Sequence, residues 1–300
     1  MEQIGFVRKC VGGFYTVETE EGLRTCRARG KFRKDGISPC AGDHVRIQTD
    51  FLAEGEIDFD AVLEEILPRK NHFVRPPVAN LDRLIVVVSA AQPAPDPLII
   101  DKTVAAAELH GIEPAVVLTK TDLQPAGELR AAYGLAGIPC IEVCAEQGVG
   151  LEEVRALLKG RVSAFTGNSG VGKSTLLNAL FPELQLKTGE VNLKLGRGRH
   201  TTREVELYPI GEGGYVADTP GFSTFDVTRY RLTDKEELPN CFREFAPFLG
   251  QCQFASCSHT CEKGCAVISA VERGEIARLR HESYCRLYDE IKDIKSWQQK

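Results

Sequence analysis

The chain has 300 residues, a formal net charge of −5, 43% hydrophobic residues and 26% charged residues. This length corresponds to two or three globular domains, and the composition excludes a disordered or fibrous chain. No apolar run reaches the roughly 18 residues of a membrane span, and the opening MEQIGFVRKC lacks the apolar core of a signal peptide. We therefore expect a cytoplasmic protein with no membrane partner. We also expect a monomer. Eleven cysteines without an export signal argue against a disulfide framework, and five of them between Cys241 and Cys265 indicate a metal site.

The first part of the chain, residues 1–70, contains short β-forming runs such as FYTVET and GDHVRI, separated by glycine turns. This pattern predicts a small β-barrel. The following stretch LPRKNHFVRPP, residues 67–77, ends in two adjacent prolines and predicts a linker.

Two basic runs stand out in this acidic protein. Residues 24–34 hold six basic residues and no acidic one, and residues 191–203 hold four basic residues and His200, again without an acid. A single run of this kind is an ordinary solvated face as often as it is a binding surface. Two such runs are more typical of surfaces that bind a polyanion.

From Leu81 onward, short apolar strands alternate with helical stretches, which predicts an α/β fold with a parallel sheet. The runs LIVVVSA, PAVVLTK, PCIEVCA and RVSAFTG are the strands, and REVELYPI and GGYVADT add two more. Beyond about Tyr230 the chain is rich in cysteine. It then becomes an amphipathic helix, in which Leu287, Ile291 and Ile294 recur at spacings of four and three.

A phosphate-binding loop is indicated by the pattern G-x-x-x-x-G-K-S between an apolar strand and a helix. Its glycines let backbone N–H groups surround phosphate oxygens, Lys173 reaches the β and γ phosphates, and Ser174 offers a hydroxyl to Mg²⁺. The candidate phosphate-binding residues are Gly167, Asn168, Ser169, Gly170, Val171, Gly172, Lys173, Ser174 and Thr175. In the later stretch DTPG, Asp218 is able to hold Mg²⁺ through water, and Gly221 can offer its N–H to the γ-phosphate.

A guanine site is indicated by the stretch Thr119, Lys120, Thr121 and Asp122 at the end of a buried strand. Asp122 can accept two hydrogen bonds from guanine, and adenine offers no such pair. The aliphatic stem of Lys120 can cover the base. Cys144 and Ala145 follow at the end of the next strand, where a backbone N–H can donate to guanine O6.

These motifs run in an unusual order: TKTD, then CA, then GNSGVGKS, then a threonine pair, then DTPG. The order resembles a circularly permuted GTPase, and the whole chain is similar to the bacterial ribosome small subunit-dependent GTPase A family. The resemblance implies an OB-fold barrel (1–70), a circularly permuted P-loop GTPase domain (71–228) and a C-terminal helical zinc domain (229–300). Thr119 departs from the pattern, since GTPases usually have asparagine there.

The same resemblance implies how GTP is hydrolysed. Of the threonine pair, Thr202, with Thr201 as the alternative, contacts Mg²⁺ and the γ-phosphate, and His200 is a candidate for positioning the attacking water. Phe222 follows DTPG where many GTPases have a glutamine that orients this water.

The cysteine-rich segment offers the spacing Cys252-x₄-Cys257-x-His259-x₅-Cys265, which supplies four ligands for a tetrahedral zinc site. Cys261 lies inside the cluster, so spacing alone leaves a Cys₄ site, with His259 as a bystander, equally open. The family resemblance favours Cys252, Cys257, His259 and Cys265 around one structural Zn²⁺.

The implied function is hydrolysis of GTP to GDP and phosphate, stimulated by the small (30S) ribosomal subunit and its 16S rRNA, during late subunit maturation. The alternative is an RNA-binding placeholder in which GTP only sets conformation. An ATP-using P-loop enzyme is disfavoured by Asp122.

Overall fold

The computed structural model describes most of the chain, in six stretches: residues 1–34, 36–49, 59–74, 77–182, 205–218 and 234–294. Backbone contacts divide the chain into two compact units. The first unit contains residues 1–82, 158–164 and the described residues within 190–222. The second contains residues 83–157 and the described residues within 165–189 and 223–300.

Five strands of the first unit close into a barrel, as the alternating sequence predicts. They are β1 (Glu2–Val11), β2 (Phe14–Thr19), β3 (Gly22–Ala28), β4 (His44–Gln48) and β5 (Ala61–Ile66), with a short helix α1 (Lys31–Lys34) after β3. The ring closes because β1 pairs with both β2 and β4, while β5 pairs with β3 and β4. Its core is made of apolar side chains, including Val7, Val17 and Ile47.

The segment predicted as a linker is anchored instead. It contains strand β6 (His72–Val74) and ends at the first residue of the antiparallel partner strand β7 (Pro77–Ala79). Before them, Arg69 makes two hydrogen bonds to the carboxylate of the fully buried Asp43, at 2.7 and 2.8 Å. The side chain of Asn71 then pairs with the backbone N–H and carbonyl of Leu81. The linker prediction was wrong because the partners of Arg69 and Asn71 lie outside the segment, and its composition gives no sign of them.

A hairpin from later in the chain completes the first unit. It consists of β12 (Glu206–Pro209) and β13 (Tyr215–Asp218). β13 runs parallel to the first residues of β11 (Val162–Thr166), and β12 pairs antiparallel with the barrel strand β1. The barrel sheet and the hairpin are therefore continuous.

The second unit contains the parallel strands that the apolar runs predict, in the order β10–β9–β8. Their bounds are β8 (Arg83–Ser89), β9 (Glu113–Thr119) and β10 (Cys140–Val143). The helices of this α/β part are α2 (Pro97–Leu109), α3 (Gly127–Leu135), α4 (Leu151–Leu158) and α5 (Lys173–Leu180). Helix α2 begins where its sequence indicates, because the Asp96 carboxylate accepts the Leu98 N–H and Pro97 opens the first turn.

The C-terminal part of the second unit consists of two 3₁₀ turns, Leu238–Cys241 and Arg243–Phe248, and the helices α6 (Ala266–Glu272) and α7 (Arg278–Ile291). As the spacing predicts, Leu287 and Ile291 of α7 are buried, and they share a core with Ala105 and Ala106 of α2. Among the described residues, no helix combines the length and apolar character needed to span a bilayer.

A buried arginine joins these elements. Arg280 of α7 is 1% exposed and binds both carboxylate oxygens of Glu244, at 2.7 and 3.0 Å. It also donates at 2.6 Å to Asp101 of α2, whose carboxylate accepts the Tyr133 hydroxyl at 2.8 Å. The guanidinium lies 4.8 Å from the ring centroid of Phe242. The charge is thus fully paired inside an otherwise apolar core.

Candidate nucleotide and metal sites

The candidate base loop begins at Thr119, the last residue of β9, whose side chain is buried. Its hydroxyl oxygen lies 2.5 Å from the carbonyl oxygen of Val171 and 3.2 Å from that of Val88. A hydroxyl has one proton to donate, and the shorter contact identifies Val171 as the acceptor. Since Val171 belongs to the candidate phosphate loop, the two motifs meet although 52 positions separate them.

Lys120 adds a second connection between the two loops. Its backbone is left-handed, with φ of 57°. Its ammonium donates to the carbonyl oxygens of Gly170, at 2.7 Å, and of Gln92, in the loop after β8. The Gln92 contribution was missed from the sequence, because a backbone carbonyl leaves no signal in the residue type.

The remaining base-loop residues lie at the carboxyl ends of neighbouring parallel strands, where ligands of α/β sheets bind. Asp122 is exposed, and the Thr121 hydroxyl lies 3.5 Å from the carbonyl oxygen of Val143 at the end of β10. The backbone N–H of Cys144 donates to Val149, so it is already engaged. Of the predicted pair Cys144 and Ala145, this leaves the Ala145 N–H as the better candidate for a ligand.

The phosphate loop lies between β11 and α5, the context its sequence pattern requires. Gly167, Gly170 and Gly172 have φ values of 155°, 79° and 90°, which residues with a side chain rarely adopt. A Cβ atom at Gly167 would also lie 2.4 Å from the carbonyl oxygen of Val87. Glycine is therefore required here for backbone conformation and close packing, and the loop leads into α5, whose N-terminus favours an anion.

The remaining predicted site residues belong to other parts of the chain. Asp218 is the last residue of β13 in the first unit, where its backbone lies opposite Glu206. His200, Thr201, Thr202 and Gly221 lie outside the described residues. Their roles therefore remain predictions.

The cysteine-rich segment gathers four metal-ligating side chains, Cys252, Cys257, His259 and Cys265, with ligand atoms all within 4.8 Å of one another. The His259 Nδ1 atom lies 3.5 Å from the sulfur atoms of both Cys252 and Cys265. These two sulfur atoms are 3.8 Å apart. Such separations are those of ligands around a tetrahedral zinc ion, with bonds of about 2.0–2.3 Å. Cys261 is exposed and is not among the four.

The loop that carries His259 is held by a carboxylate. Glu262 accepts backbone N–H bonds from Ser258 at 2.7 Å, Thr260 at 3.1 Å and Cys261 at 3.2 Å. Burial raises the pKa of Glu262, but hydrogen bonds from the Ser258 hydroxyl and from the backbone N–H groups of Ser258, Glu262 and Cys261 outweigh it and lower the pKa to about 2. Sequence reasoning missed this residue, because nothing in the spacing distinguishes it from an ordinary surface acid.

The carbonyl groups of this loop also have partners from α7. The Tyr284 hydroxyl donates to the Ser258 carbonyl oxygen at 2.7 Å, and the Nε2 atom of His281 lies 2.8 Å from the backbone carbonyl oxygen of His259. The candidate metal centre is thus packed on the helix that also carries Arg280.

Comparison with known proteins agrees with these features. The model of the RsgA GTPase family matches residues 66–228, and that of the RsgA N-terminal domain matches residues 4–57. The small ribosomal subunit biogenesis GTPase RsgA of Caldanaerobacter subterraneus is 46% identical over 98% of this chain and 97% of the relative. Its namesake from Halalkalibacterium halodurans is 42% identical over 96% of this chain and 97% of the relative.

Two solved structures are similar along nearly their whole length. YjeQ from Thermotoga maritima has a TM-score of 0.79 and 36% identity, covering 98% of this chain and all of the other. YloQ, described as a circularly permuted GTPase, has a TM-score of 0.78 and 34% identity, covering 98% and 96%. The inverted motif order, the two loops joined at Thr119 and these similarities lead to one conclusion: the chain belongs to the RsgA GTPase family.

Proposed function

We propose that this protein hydrolyses GTP to GDP and phosphate, and that it acts in late maturation of the small ribosomal subunit, which stimulates the reaction. The observation that carries the proposal is the hydrogen bond from Thr119 to Val171, which joins the base loop to the phosphate loop. The names of the relatives, small ribosomal subunit biogenesis GTPase RsgA, supply the setting.

Nucleotide binding follows from the two loops. The backbone N–H groups of residues 167–175 surround the phosphates, and Lys173 neutralises the β and γ phosphates. Asp122 accepts the two hydrogen bonds that guanine donates, and its exposure leaves it accessible to a base. The Ala145 N–H meets guanine O6. The oxygen atoms of Ser174, Thr202 and Asp218 are suited to Mg²⁺, a cation that prefers such ligands.

Hydrolysis requires a positioned water molecule. Phe222 cannot orient water, so we assign that role to His200, beside Thr201 and Thr202. The imidazole is a suitable group because it can both accept and donate a proton near neutral pH. Without a glutamine after DTPG, the isolated protein is expected to turn over GTP slowly.

The C-terminal segment holds one structural Zn²⁺ through Cys252, Cys257, His259 and Cys265. The donor set of three thiolates and one imidazole, together with the 4.8 Å limit on their separations, fits a closed tetrahedral site. With four protein ligands no position remains for substrate, so the ion would stabilise the fold.

The barrel is the surface that we assign to 16S rRNA in the cytoplasmic 30S particle, and we propose that the protein acts as a monomer. In the basic run 24–34, Arg24 and Arg29 have acidic partners, Glu21 at 2.9 Å and Glu64 at 2.6 Å. Exposed Arg27 instead lies over the ring of Phe14, with 4.5 Å to its centroid. An arginine held against an aromatic ring is well placed to contact phosphate or stack on a base.

The three-domain division at residues 70 and 228 stays our proposal for how the chain is organised by function. It differs from the two compact units because the C-terminal helices share a core with α2.

The experiment that tests the proposed function is GTP turnover measured alone, with purified small subunits and with purified large subunits. We expect slow basal turnover and strong acceleration by small subunits only, up to ~10³–10⁵-fold if they complete the transition-state site. His200→Ala should lose the stimulated turnover but keep nucleotide and subunit binding. If small subunits change only nucleotide affinity, the protein is an RNA-binding placeholder. If large subunits alone stimulate, the assignment to the small subunit is wrong.

A further inference from the structure

One row of residues runs from the barrel to the strand that ends at Asp218. Lys9 of β1 lies opposite Glu206 of β12, and Glu206 lies opposite Asp218 of β13. The Lys9 ammonium is 2.5 Å from the Glu206 carboxylate. A barrel side chain is therefore paired with the direct cross-strand neighbour of the residue that we assign to Mg²⁺.

Other barrel side chains hold the same hairpin. Arg8 donates through Nε to the carbonyl oxygen of Leu207 in β12, at 3.2 Å. The Tyr215 hydroxyl of β13 donates to Glu18 at 3.0 Å, and its ring centroid is 4.8 Å from that of Phe6. Strand β1 thus contacts both strands of the hairpin, and strand β2 contacts β13.

The two ends of this hairpin are close in sequence to the residues assigned to the γ-phosphate and Mg²⁺. Glu206 follows Thr202 by four positions, and Asp218 opens the DTPG stretch. The Lys9–Glu206 ion pair lies at this end of the hairpin and not at its turn. Among the described residues, this is the side-chain ion pair that joins the barrel to β12 at the end of the hairpin away from its turn.

We propose that Lys9 is a positioning residue for GTP hydrolysis: through Glu206, it transmits docking of the barrel on the small subunit to the strand ending at Asp218. This inference rests on the proposed function, because it requires subunit docking through the barrel and a role for Asp218 in the Mg²⁺ site. It assigns to the barrel a part in activation in addition to binding.

The ion pair is suited to a test because it contributes little to folding. The side chains of Lys9 and Glu206 are 38% and 30% exposed. Ion pairs with this much solvent contact stabilise a protein by about 0–1 kcal/mol. Removing the pair should therefore leave the fold intact, so a change in activation can be read directly.

The experiment compares Lys9→Met, Glu206→Gln, the double variant and Lys9→Arg with the wild type. The quantity measured is the ratio of stimulated to basal GTP turnover, with subunit affinity measured separately by sedimentation. We expect each single variant to lower the ratio at least about fivefold, the low end of coupling between two sites. The double variant should be no worse than either single variant, because all three lack the same interaction. Lys9→Arg should keep the ratio, and subunit affinity should not change.

Lys159→Met is the matched control. Lys159 pairs with Glu212 at 3.0 Å, in the turn at the opposite end of the same hairpin, and both side chains are more exposed. This variant should keep the full ratio. A lower ratio in Lys159→Met would show that the effect is not specific to the Lys9–Glu206 pair, and it would overturn the inference.

Three further outcomes show whether the inference fails alone or together with the function on which it rests. If small subunits stimulate the wild type and Lys9→Met equally, the inference is wrong and the proposed function stands. If subunit affinity falls in proportion to turnover, Lys9 is a docking residue and the inference is again wrong. If small subunits fail to stimulate the wild type, both proposals are overturned.

Discussion

The hydroxyl of Thr119 and the carbonyl oxygen of Val171 lie 2.5 Å apart, joining the end of strand β9 to the phosphate loop. Many GTPases have an asparagine at the position of Thr119, and an amide can make a similar connection. Gly172, the residue after Val171, lies beside the same side chain: a Cβ there would be in ordinary contact with the Thr119 hydroxyl oxygen, at 3.6 Å. Thr119 and the neighbouring Lys120, which donates to Gly170, thus both join the base loop to the phosphate loop.

Replacing this hydroxyl should weaken nucleotide binding. Thr119→Val keeps the shape but leaves a buried carbonyl without its donor, which costs about 1–3 kcal/mol. We expect the affinity for both GTP and GDP to fall about 5- to 150-fold, as measured by titration with a fluorescent guanine nucleotide. Thr119→Ser keeps the hydroxyl and is the control. Wild-type affinity in the valine variant would show that the connection does not support the site.

Base specificity provides a second test. Asp122→Asn exchanges a carboxylate acceptor for an amide donor, so GTP binding should weaken while xanthosine triphosphate binding improves. The expected reversal is large, because a mismatched base leaves buried polar groups without partners. Competition between the two nucleotides measures it. Equal GTP affinity in variant and wild type would contradict the base-site assignment.

The parts of the fold that the sequence predicts are those specified locally. Alternation in FYTVET and GDHVRI indicates strands of a half-exposed barrel, and the apolar runs around Val86 and Val117 indicate buried parallel strands. The phosphate loop is predictable because Gly167, Gly170 and Gly172 need conformations that other residues avoid. In each case the physical requirement falls on neighbouring residues.

Features that depend on distant partners could not be predicted. Residues 67–77 contain the prolines of a linker, yet Arg69 pairs with Asp43, 26 positions earlier. Arg280 has the residue type of a helix surface, but Asp101 and Glu244 approach it from 179 and 36 positions away and allow it to be buried. The ligand choice between His259 and Cys261 was also open from spacing, because it depends on how the loop turns.

The buried arginine should matter for stability. Arg280→Met leaves two buried carboxylates without their partner, and breaking such a pair costs about 3–5 kcal/mol. Urea denaturation should show this loss in the free energy of unfolding. The control is Lys102→Met, since Lys102 also joins α2 to α7, through Glu290 at 2.8 Å, but in a more exposed position. It should cost less than about 1 kcal/mol. Equal effects of the two variants would contradict a special role for Arg280.

Removal of the metal should loosen the C-terminal part of the chain. Metal binding supplies folding free energy where ligands come from a loop with little core of its own, as between Cys252 and Cys265. Elemental analysis should find one zinc per chain in the wild type and in Cys261→Ser, whose thiol lies outside the cluster, but not in Cys257→Ser. The zinc-free protein should lose helical signal and become sensitive to protease after Tyr230, while guanine-nucleotide binding largely survives, because the Thr119–Val171 connection does not involve this loop. Loss of zinc from Cys261→Ser, or none in carefully purified wild type, would contradict the assignment.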